Sequence, residues 1–65
     1  DKAIAAFEEV LEQDSDDVSA NYYLGRLMMR TRSYEEALAY FENVIKIEPY
    51  NASAHYNRAT ALSRL

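Results

Sequence analysis

The residues able to take part in acid–base or metal chemistry are few and poorly placed for it. The chain has one histidine, His55, together with eleven Asp and Glu residues and no cysteine. Glu8-Glu9 and Glu35-Glu36 are adjacent pairs, and adjacent side chains diverge around a helix, so neither pair can share a site. No cluster of ligating residues has metal spacing, and no glycine-rich segment could cradle phosphate. The sequence therefore predicts no enzymatic activity, no metal site and no cofactor.

A different chemistry is indicated by Arg26 and Arg30, which are four residues apart. Two like charges at this spacing on one helix repel by roughly a few tenths of a kcal/mol. An acidic ligand would offset that cost, because a guanidinium can bind a carboxylate through two parallel hydrogen bonds. Alternatively, both arginines pair with acids on neighbouring helices of the same chain, or are solvated. The sequence leaves these interpretations open.

Composition limits the size of the protein and its partners. Sixty-five residues make at most one small domain, which buries a modest fraction of its surface. The net charge of -4 disfavours nucleic acid as a partner, and no apolar run is long enough to span a membrane. Because the chain has no cysteine, its sequence does not indicate whether the protein functions in an oxidising or a reducing compartment. Because the chain begins with Asp rather than Met, we interpret it as an excerpt from a longer protein.

The elements that would position these side chains follow from a pattern that repeats at an offset of 34 residues. The identical residues are Ala3, Ala5, Phe7 and Glu8, recurring as Ala37, Ala39, Phe41 and Glu42, and Ser19, Ala20, Tyr22 and Arg30, recurring as Ser53, Ala54, Tyr56 and Arg64. A fixed period of this length is typical of stacked repeat arrays. Charge alternates with the same pattern: residues 1–17 and 35–51 are acidic, whereas 18–34 and 52–65 contain bases and no acid.

Apolar spacing predicts four amphipathic helices. Phe7, Val10 and Leu11, for example, lie on one face of a helix because they fall at i, i+3 and i+4. Pro49 predicts the end of the third helix. The connections are short, so consecutive helices should be antiparallel neighbours. The predicted helices lie near residues 1–14, 18–31, 34–48 and 52–65.

Start signals precede three of these helices. Ser33 and Glu36 have the spacing of a capping box at the third helix. Asp16 or Asp17 can cap the second helix, and Asn51 can cap the fourth. Asn51 also begins a glycosylation sequon, but we favour the cap.

Gly25 lies inside the second predicted helix, where it costs about 1 kcal/mol relative to Ala. We therefore expect two helices to cross closely at this point, where a Cβ atom would clash. Ala59, one repeat later, is also small.

The central segment resembles the tetratricopeptide repeat, a helix–turn–helix unit. The matching residues are Leu24, Gly25, Tyr34, Ala37, Phe41 and Pro49. The resemblance implies an all-α fold in which antiparallel helix–turn–helix repeats stack as a short right-handed α-solenoid of four helices. It divides the single domain, residues 1–65, into the second helix of a preceding repeat (1–17), a complete repeat (18–51) and the first helix of a following repeat (52–65).

The resemblance also implies a non-catalytic scaffold that binds a protein or peptide in a concave groove lined by the first helix of each repeat. The groove residues carried over in this way are Ser19, Tyr22, Arg26, Met29, Arg30, Ser53, Tyr56, Asn57, Thr60 and Arg64. Their basic and aromatic character favours an acidic peptide. Binding of chaperone carboxyl termini is not supported, because Tyr22 and Tyr23 stand where that clamp's Lys and the family's common Asn would be.

A structural role is the alternative. A repeat cannot bury its apolar face without neighbours, so the outer faces of the first and last helices should be partly apolar. The chain could then self-associate through its ends. The acids of the first and third helices, with Tyr40, are expected on the convex side, where they would be solvated.

Overall fold

The structure is a computed structural model that describes residues 2–65, and these residues form four α-helices without a strand. The helices are α1 (Lys2–Gln13), α2 (Val18–Arg30), α3 (Tyr34–Ile47) and α4 (Ala52–Arg64). Each helix packs on the next, and α2 also contacts α4. The predicted all-helical fold class is thus confirmed as a short helical repeat solenoid. Position 1 of the first predicted helix lies outside the described residues.

The core lies around α3, which packs against both α2 and α4. Its largest apolar members are Leu24, Phe41 and Val44, all fully buried, and alanines of α2, α3 and α4 complete it. By contrast, α1 has no fully buried residue. The helices α2 and α3 therefore provide most of the buried residues.

Gly25 marks the close crossing of α2 and α3. A Cβ atom at this position would lie 2.8 Å from Cζ and 2.9 Å from Cε1 of Phe41, which is closer than nonbonded carbons approach. The expected steric reason for this glycine is therefore present. Ala59, its counterpart on α4, is exposed.

Two of the predicted helix caps form. The Asp17 carboxylate accepts a hydrogen bond from the Ala20 N–H at 2.8 Å, and the Asn51 side-chain oxygen accepts one from the Ala54 N–H at 2.9 Å. The choice left open between the two aspartates is thus decided in favour of Asp17.

The predicted capping box at Ser33 is wrong. Ser33 occupies the N-cap position of α3, but its side chain accepts no capping hydrogen bond, and its hydroxyl instead lies 3.2 Å from the Thr31 hydroxyl. The backbone explains the difference: ψ is 68° at Ser33, whereas it is 113° at Asp17 and 101° at Asn51. The tight turn before α3 therefore lacks the extended geometry that a side-chain cap requires.

That turn closes the end of α2 with a residue in left-handed conformation. Arg32 has φ of 62°. The Ser33 N–H donates to the Met28 carbonyl at 2.8 Å, and the Arg32 N–H donates to the Met29 carbonyl at 3.1 Å. This is the Schellman arrangement, which normally places glycine at the left-handed position. Pro49, as predicted, follows the end of α3.

A buried polar side chain ties α2 to the preceding loop. Asn21 is fully buried, and its amide nitrogen donates to the carbonyls of Ser15 at 3.1 Å and Asp17 at 2.9 Å. One repeat later, Nε2 of His55 lies 2.7 Å from the Pro49 carbonyl oxygen. The tether to the residue six positions earlier thus recurs, and it fixes the starts of α2 and α4 in the same way.

Candidate functional site

α2 and α4 form a shallow groove made of two adjacent depressions. One has a volume of about 490 Å³ and is lined by Tyr22, Arg26, Ala52, Ser53, Tyr56 and Asn57. The other has a volume of about 300 Å³ and is lined by Val18, Ser19, Tyr22, Tyr23, Asn51 and Ser53. Because Tyr22 and Ser53 line both depressions, we treat them as one continuous surface and call it the α2–α4 groove.

Six of the ten groove residues expected from the sequence line this surface. They are Ser19, Tyr22, Arg26, Ser53, Tyr56 and Asn57. Met29, Arg30, Thr60 and Arg64 do not line either depression. Arg30 and Arg64 are the last residues of α2 and α4 and are exposed. They place two positive charges beyond the depressions, toward the carboxyl ends of the two helices.

The arginines of α2 have no carboxylate partner within the described chain. Among residues 2–65 the one ion pair joins Arg58 to Glu42 at 3.5 Å, between α4 and α3. Intrachain pairing of Arg26 and Arg30, one of the alternatives left open by the sequence, is therefore not observed. Instead, the Arg26 guanidinium lies 5.9 Å from the centre of the Tyr22 ring, within the range of a cation–π interaction.

Of the three tyrosines that line the groove, the repeat equivalents Tyr22 and Tyr56 have different environments. Tyr22 meets the buried Phe41 ring edge-on at 5.9 Å, and it meets Tyr23 in the same manner at 5.9 Å. Tyr23 in turn stacks on Phe7 of α1 at 5.4 Å. Tyr56, the counterpart of Tyr22, is 72% exposed. The groove therefore has one ring held by the core and one ring open to solvent.

Two side-chain hydrogen-bond donors of α4 bond to backbone carbonyls of the same helix. The Asn57 amide nitrogen donates to the Ser53 carbonyl at 2.8 Å, and the Thr60 hydroxyl donates to the Tyr56 carbonyl at 3.0 Å. An amide carries a second N–H and an acceptor oxygen, so Asn57 keeps hydrogen-bonding capacity for a ligand. Thr60 keeps acceptor capacity only.

The acidic surface predicted around Tyr40 is visible in the environment of its phenol. Burial raises the pKa of Tyr40 above its usual value, and the negative charges of Glu8 and Glu36 raise it further. An acid of α1 and an acid of α3 therefore both act on the Tyr40 phenol.

Four residues that line the groove were not among the candidates from sequence: Val18, Tyr23, Asn51 and Ala52. Half of the surface of Tyr23 is exposed. The others lie at the starts of α2 and α4, where the cap residue and first turn face the groove. Their position next to Ser19 and Ser53 is a signal that could have identified them.

Metal-binding clusters and membrane-spanning helices are not found in the described part of the chain. Over residues 2–65, no group of three or more His, Asp or Glu side chains is arranged to hold a metal ion. None of the described helices combines the length and apolar character needed to cross a membrane.

Four consecutively packed helices with a groove between α2 and α4 define an α-helical repeat protein. A family model described as Tetratricopeptide repeat matches residues 1–52 and also residues 29–65. The chain therefore belongs to the tetratricopeptide repeat family, which confirms the resemblance seen in the sequence. Searches among curated proteins and among solved structures gave no match. Tetratricopeptide repeats generally mediate protein–protein interactions and are typically non-catalytic scaffolds.

Proposed function

We propose that this chain binds an acidic peptide in the α2–α4 groove and has no catalytic role of its own. The observation that carries the proposal is Arg26, which lines the groove and has no carboxylate partner among residues 2–65. Its guanidinium lies near the Tyr22 ring, and Tyr22 is held by Phe41. A cation positioned in this way loses less conformational entropy when it binds a ligand.

The proposed role of the groove depends on how the chain is divided into repeats. We assign residues 18–51 to one complete repeat, residues 1–17 to the second helix of a preceding repeat and residues 52–65 to the first helix of a following repeat. In support of this, the α2–α3 pair holds a close helix crossing, at Gly25 and Phe41. On this assignment α2 and α4 are both first helices, so the groove is formed by equivalent surfaces of successive repeats.

The spacing of the arginines suggests the form of the ligand. Arg26 and Arg30 are one helical turn apart, about 6 Å along the axis. In an extended peptide, side chains two residues apart lie on the same face and are separated by about 6.6 Å. A peptide with acids at alternate positions could therefore contact both guanidinium groups, while Tyr56 supplies an exposed aromatic surface beside them.

A labelled peptide with two glutamates at alternate positions would test the proposal by fluorescence anisotropy. The double variant Arg26→Ala/Arg30→Ala should weaken binding by roughly 10- to 100-fold, because each lost charge-assisted hydrogen bond is worth about 1.5–3 kcal/mol before solvent screening. Arg32→Ala is the matched control for Arg26→Ala alone, since each removes one positive charge and Arg32 lies in the α2–α3 turn outside the groove. The same peptide with glutamines should bind weakly to the unaltered chain.

Two outcomes would contradict the proposal. One is equal binding of the glutamate and glutamine peptides. The other is an effect of Arg32→Ala as large as that of Arg26→Ala alone, which would indicate attraction by overall charge rather than by the groove.

The aromatic contribution can be measured separately at Tyr56. Tyr56→Ala should weaken binding by about tenfold, as is usual for an aromatic residue that contributes to an interface, whereas Tyr56→Phe separates the ring from the hydroxyl. Tyr50→Ala is the control, because Tyr50 is the most exposed tyrosine and does not line the groove.

A further inference from the structure

We infer that copies of this chain stack end to end, with α4 of one copy packed on α1 of the next. The template is the α2–α3 interface within the chain. There Gly25 lies directly against the Phe41 ring, and Tyr22 meets the same ring edge-on at 5.9 Å. These contacts bring Phe41 to complete burial.

The 34-residue repeat places counterparts of these contact residues on the outer helices, although Arg58 stands where the template has the buried Leu24. On α4, Tyr56 and Ala59 are the counterparts of Tyr22 and Gly25. On α1, Phe7 is the counterpart of Phe41. α4 thus has the surface of a first helix, and α1 has the surface of a second helix. The hydrogen bond between His55 and the Pro49 carbonyl fixes the start of α4. The hydrogen bond from Asn21 to the Ser15 carbonyl fixes the start of α2 in the same way.

Both surfaces are open in a single chain. Tyr56 is 72% exposed, and Ala59 is exposed as well. On α1, Val10 is 39% exposed although its counterpart Val44 is fully buried. A depression of about 300 Å³ opens around Val10, and its other lining residues are Ala6, Glu9, Gln13 and Asp14.

Charge selects a second copy as the occupant and selects its orientation. α1 carries Glu8, Glu9 and Glu12 against the single base Lys2, whereas α4 carries no acid. Of its two arginines, Arg58 pairs with Glu42 of the same chain, and the exposed Arg64 has no carboxylate partner among residues 2–65. α4 of one copy is therefore attracted to α1 of another, while two α1 faces or two α4 faces repel each other. A head-to-tail contact of this kind does not close on itself after two copies, so further copies can add.

The fit of α4 on α1 of the next copy is looser than the fit of α2 on α3. At Gly25 an added methyl group would place its carbon 2.8 Å from Cζ of Phe41, and Ala59 already carries that methyl group. α4 must therefore lie slightly farther from the Phe7 ring of the next copy. No covalent turn joins these two helices, so their separation can adjust. The resulting association is weak and requires high protein concentration.

Sedimentation velocity of the 65-residue chain over a dilution series up to about 1 mM would test the stacking. The average mass should rise with concentration from the monomer value of 7.5 kDa and pass beyond twice that value. Val10→Glu blocks the α1 face and Ala59→Glu blocks the α4 face, so each variant alone should remain monomeric. An equimolar mixture of the two retains one intact face of each kind, and it should form heterodimers that do not grow further.

Tyr50→Glu is the matched control, because Tyr50 is 97% exposed and precedes α4. This variant should associate like the unaltered chain. Far-UV circular dichroism should show the same helix content in all variants. If a variant does not fold, dilution of the unaltered chain followed by ¹H–¹⁵N NMR gives an independent answer, since the largest shift changes should fall in α1 and α4.

Three results would overturn the inference. A monomeric chain over the whole concentration range would show that something other than a second copy covers the end faces. Dimerisation of either blocked variant alone would show a two-fold contact. NMR shift changes centred on α2 and α3 would place the association elsewhere on the molecule.

Discussion

The inner helix pair, α2 and α3, and the outer helices, α1 and α4, have the same repeat pattern but different surroundings. Phe41 is fully buried, whereas its counterpart Phe7 is partly exposed. Val44 and Val10 differ in the same way. The position of a residue in the repeat determines which side of its helix it occupies, and the presence of a neighbouring helix determines whether that side becomes core. Burial of a side chain in this fold therefore depends on whether another helix packs against its side of the helix.

The largest test of this difference is removal of the two equivalent aromatic rings. Phe41→Ala should cost about 3–5 kcal/mol because it leaves an enclosed cavity, which is comparable with the whole stability of a domain of this size, about 3–10 kcal/mol. Phe7→Ala should cost about 1–2 kcal/mol, since its ring is only partly removed from water. Urea unfolding followed by circular dichroism measures both. Equal losses would mean that α1 is packed as firmly as α3.

A second test adds a methyl group at the crossing of the inner pair. Gly25→Ala should lower the free energy of unfolding by about 1 kcal/mol. Overpacking against Phe41 destabilises the fold by about 1–3 kcal/mol, and the higher helix propensity of Ala offsets about 1 kcal/mol of that loss. The same change in a Phe41→Leu background should be neutral or stabilising. A double-mutant cycle in urea gives the coupling, and a cycle without coupling would show that the close approach to Phe41 carries no energetic penalty.

The starts of the two inner helices provide a smaller contrast. Asp17→Ala should cost about 1 kcal/mol because it removes the capping hydrogen bond to Ala20. Ser33→Ala should change stability by less than about 0.5 kcal/mol, since Ser33 makes no capping hydrogen bond. Thermal unfolding of the two single variants measures the difference. A large loss on Ser33→Ala would indicate that the turn before α3 is capped in solution.

The smallest effect is expected in the turn that joins the inner pair. Arg32 holds φ of 62°, a conformation that L-residues disfavour and glycine adopts freely. Arg32→Gly should raise the free energy of unfolding by about 0.5–1 kcal/mol. Arg32→Ala removes the charge but retains the strain, so it should show no such gain in the same chemical unfolding experiment. A gain for both variants would assign the effect to charge.

Much of the architecture was predictable from local patterns. The apolar spacing and the position of Pro49 identified all four helices, because these signals act within one or two turns of chain. Gly25 was correctly expected at a close helix crossing. Ser33 was not predicted correctly, because the matching residue types are present while the backbone of the tight turn does not allow the cap. Cap chemistry depends on backbone angles that the surrounding helices impose.

The groove was predictable in part for a related reason. The repeat indicated that Tyr22 and Tyr56 occupy equivalent positions, but it did not indicate that one ring rests on Phe41 while the other stays open. Similarly, two arginines at one-turn spacing were visible, whereas their lack of carboxylate partners among residues 2–65 depends on where the acids of the other helices lie. Such contacts join residues that are far apart in sequence, so local patterns cannot specify them.

The sequence by itself determined the four helices, the repeat, the family and the alternation of charge, because each of these is encoded in short-range spacing or in composition. The tertiary structure decided which equivalent residues are buried, that Asp17 rather than Asp16 caps α2, and that the one ion pair among residues 2–65 joins Arg58 to Glu42. The physical reason is that burial and pairing depend on the neighbours that packing supplies. Identical residues one repeat apart have different neighbours in this chain.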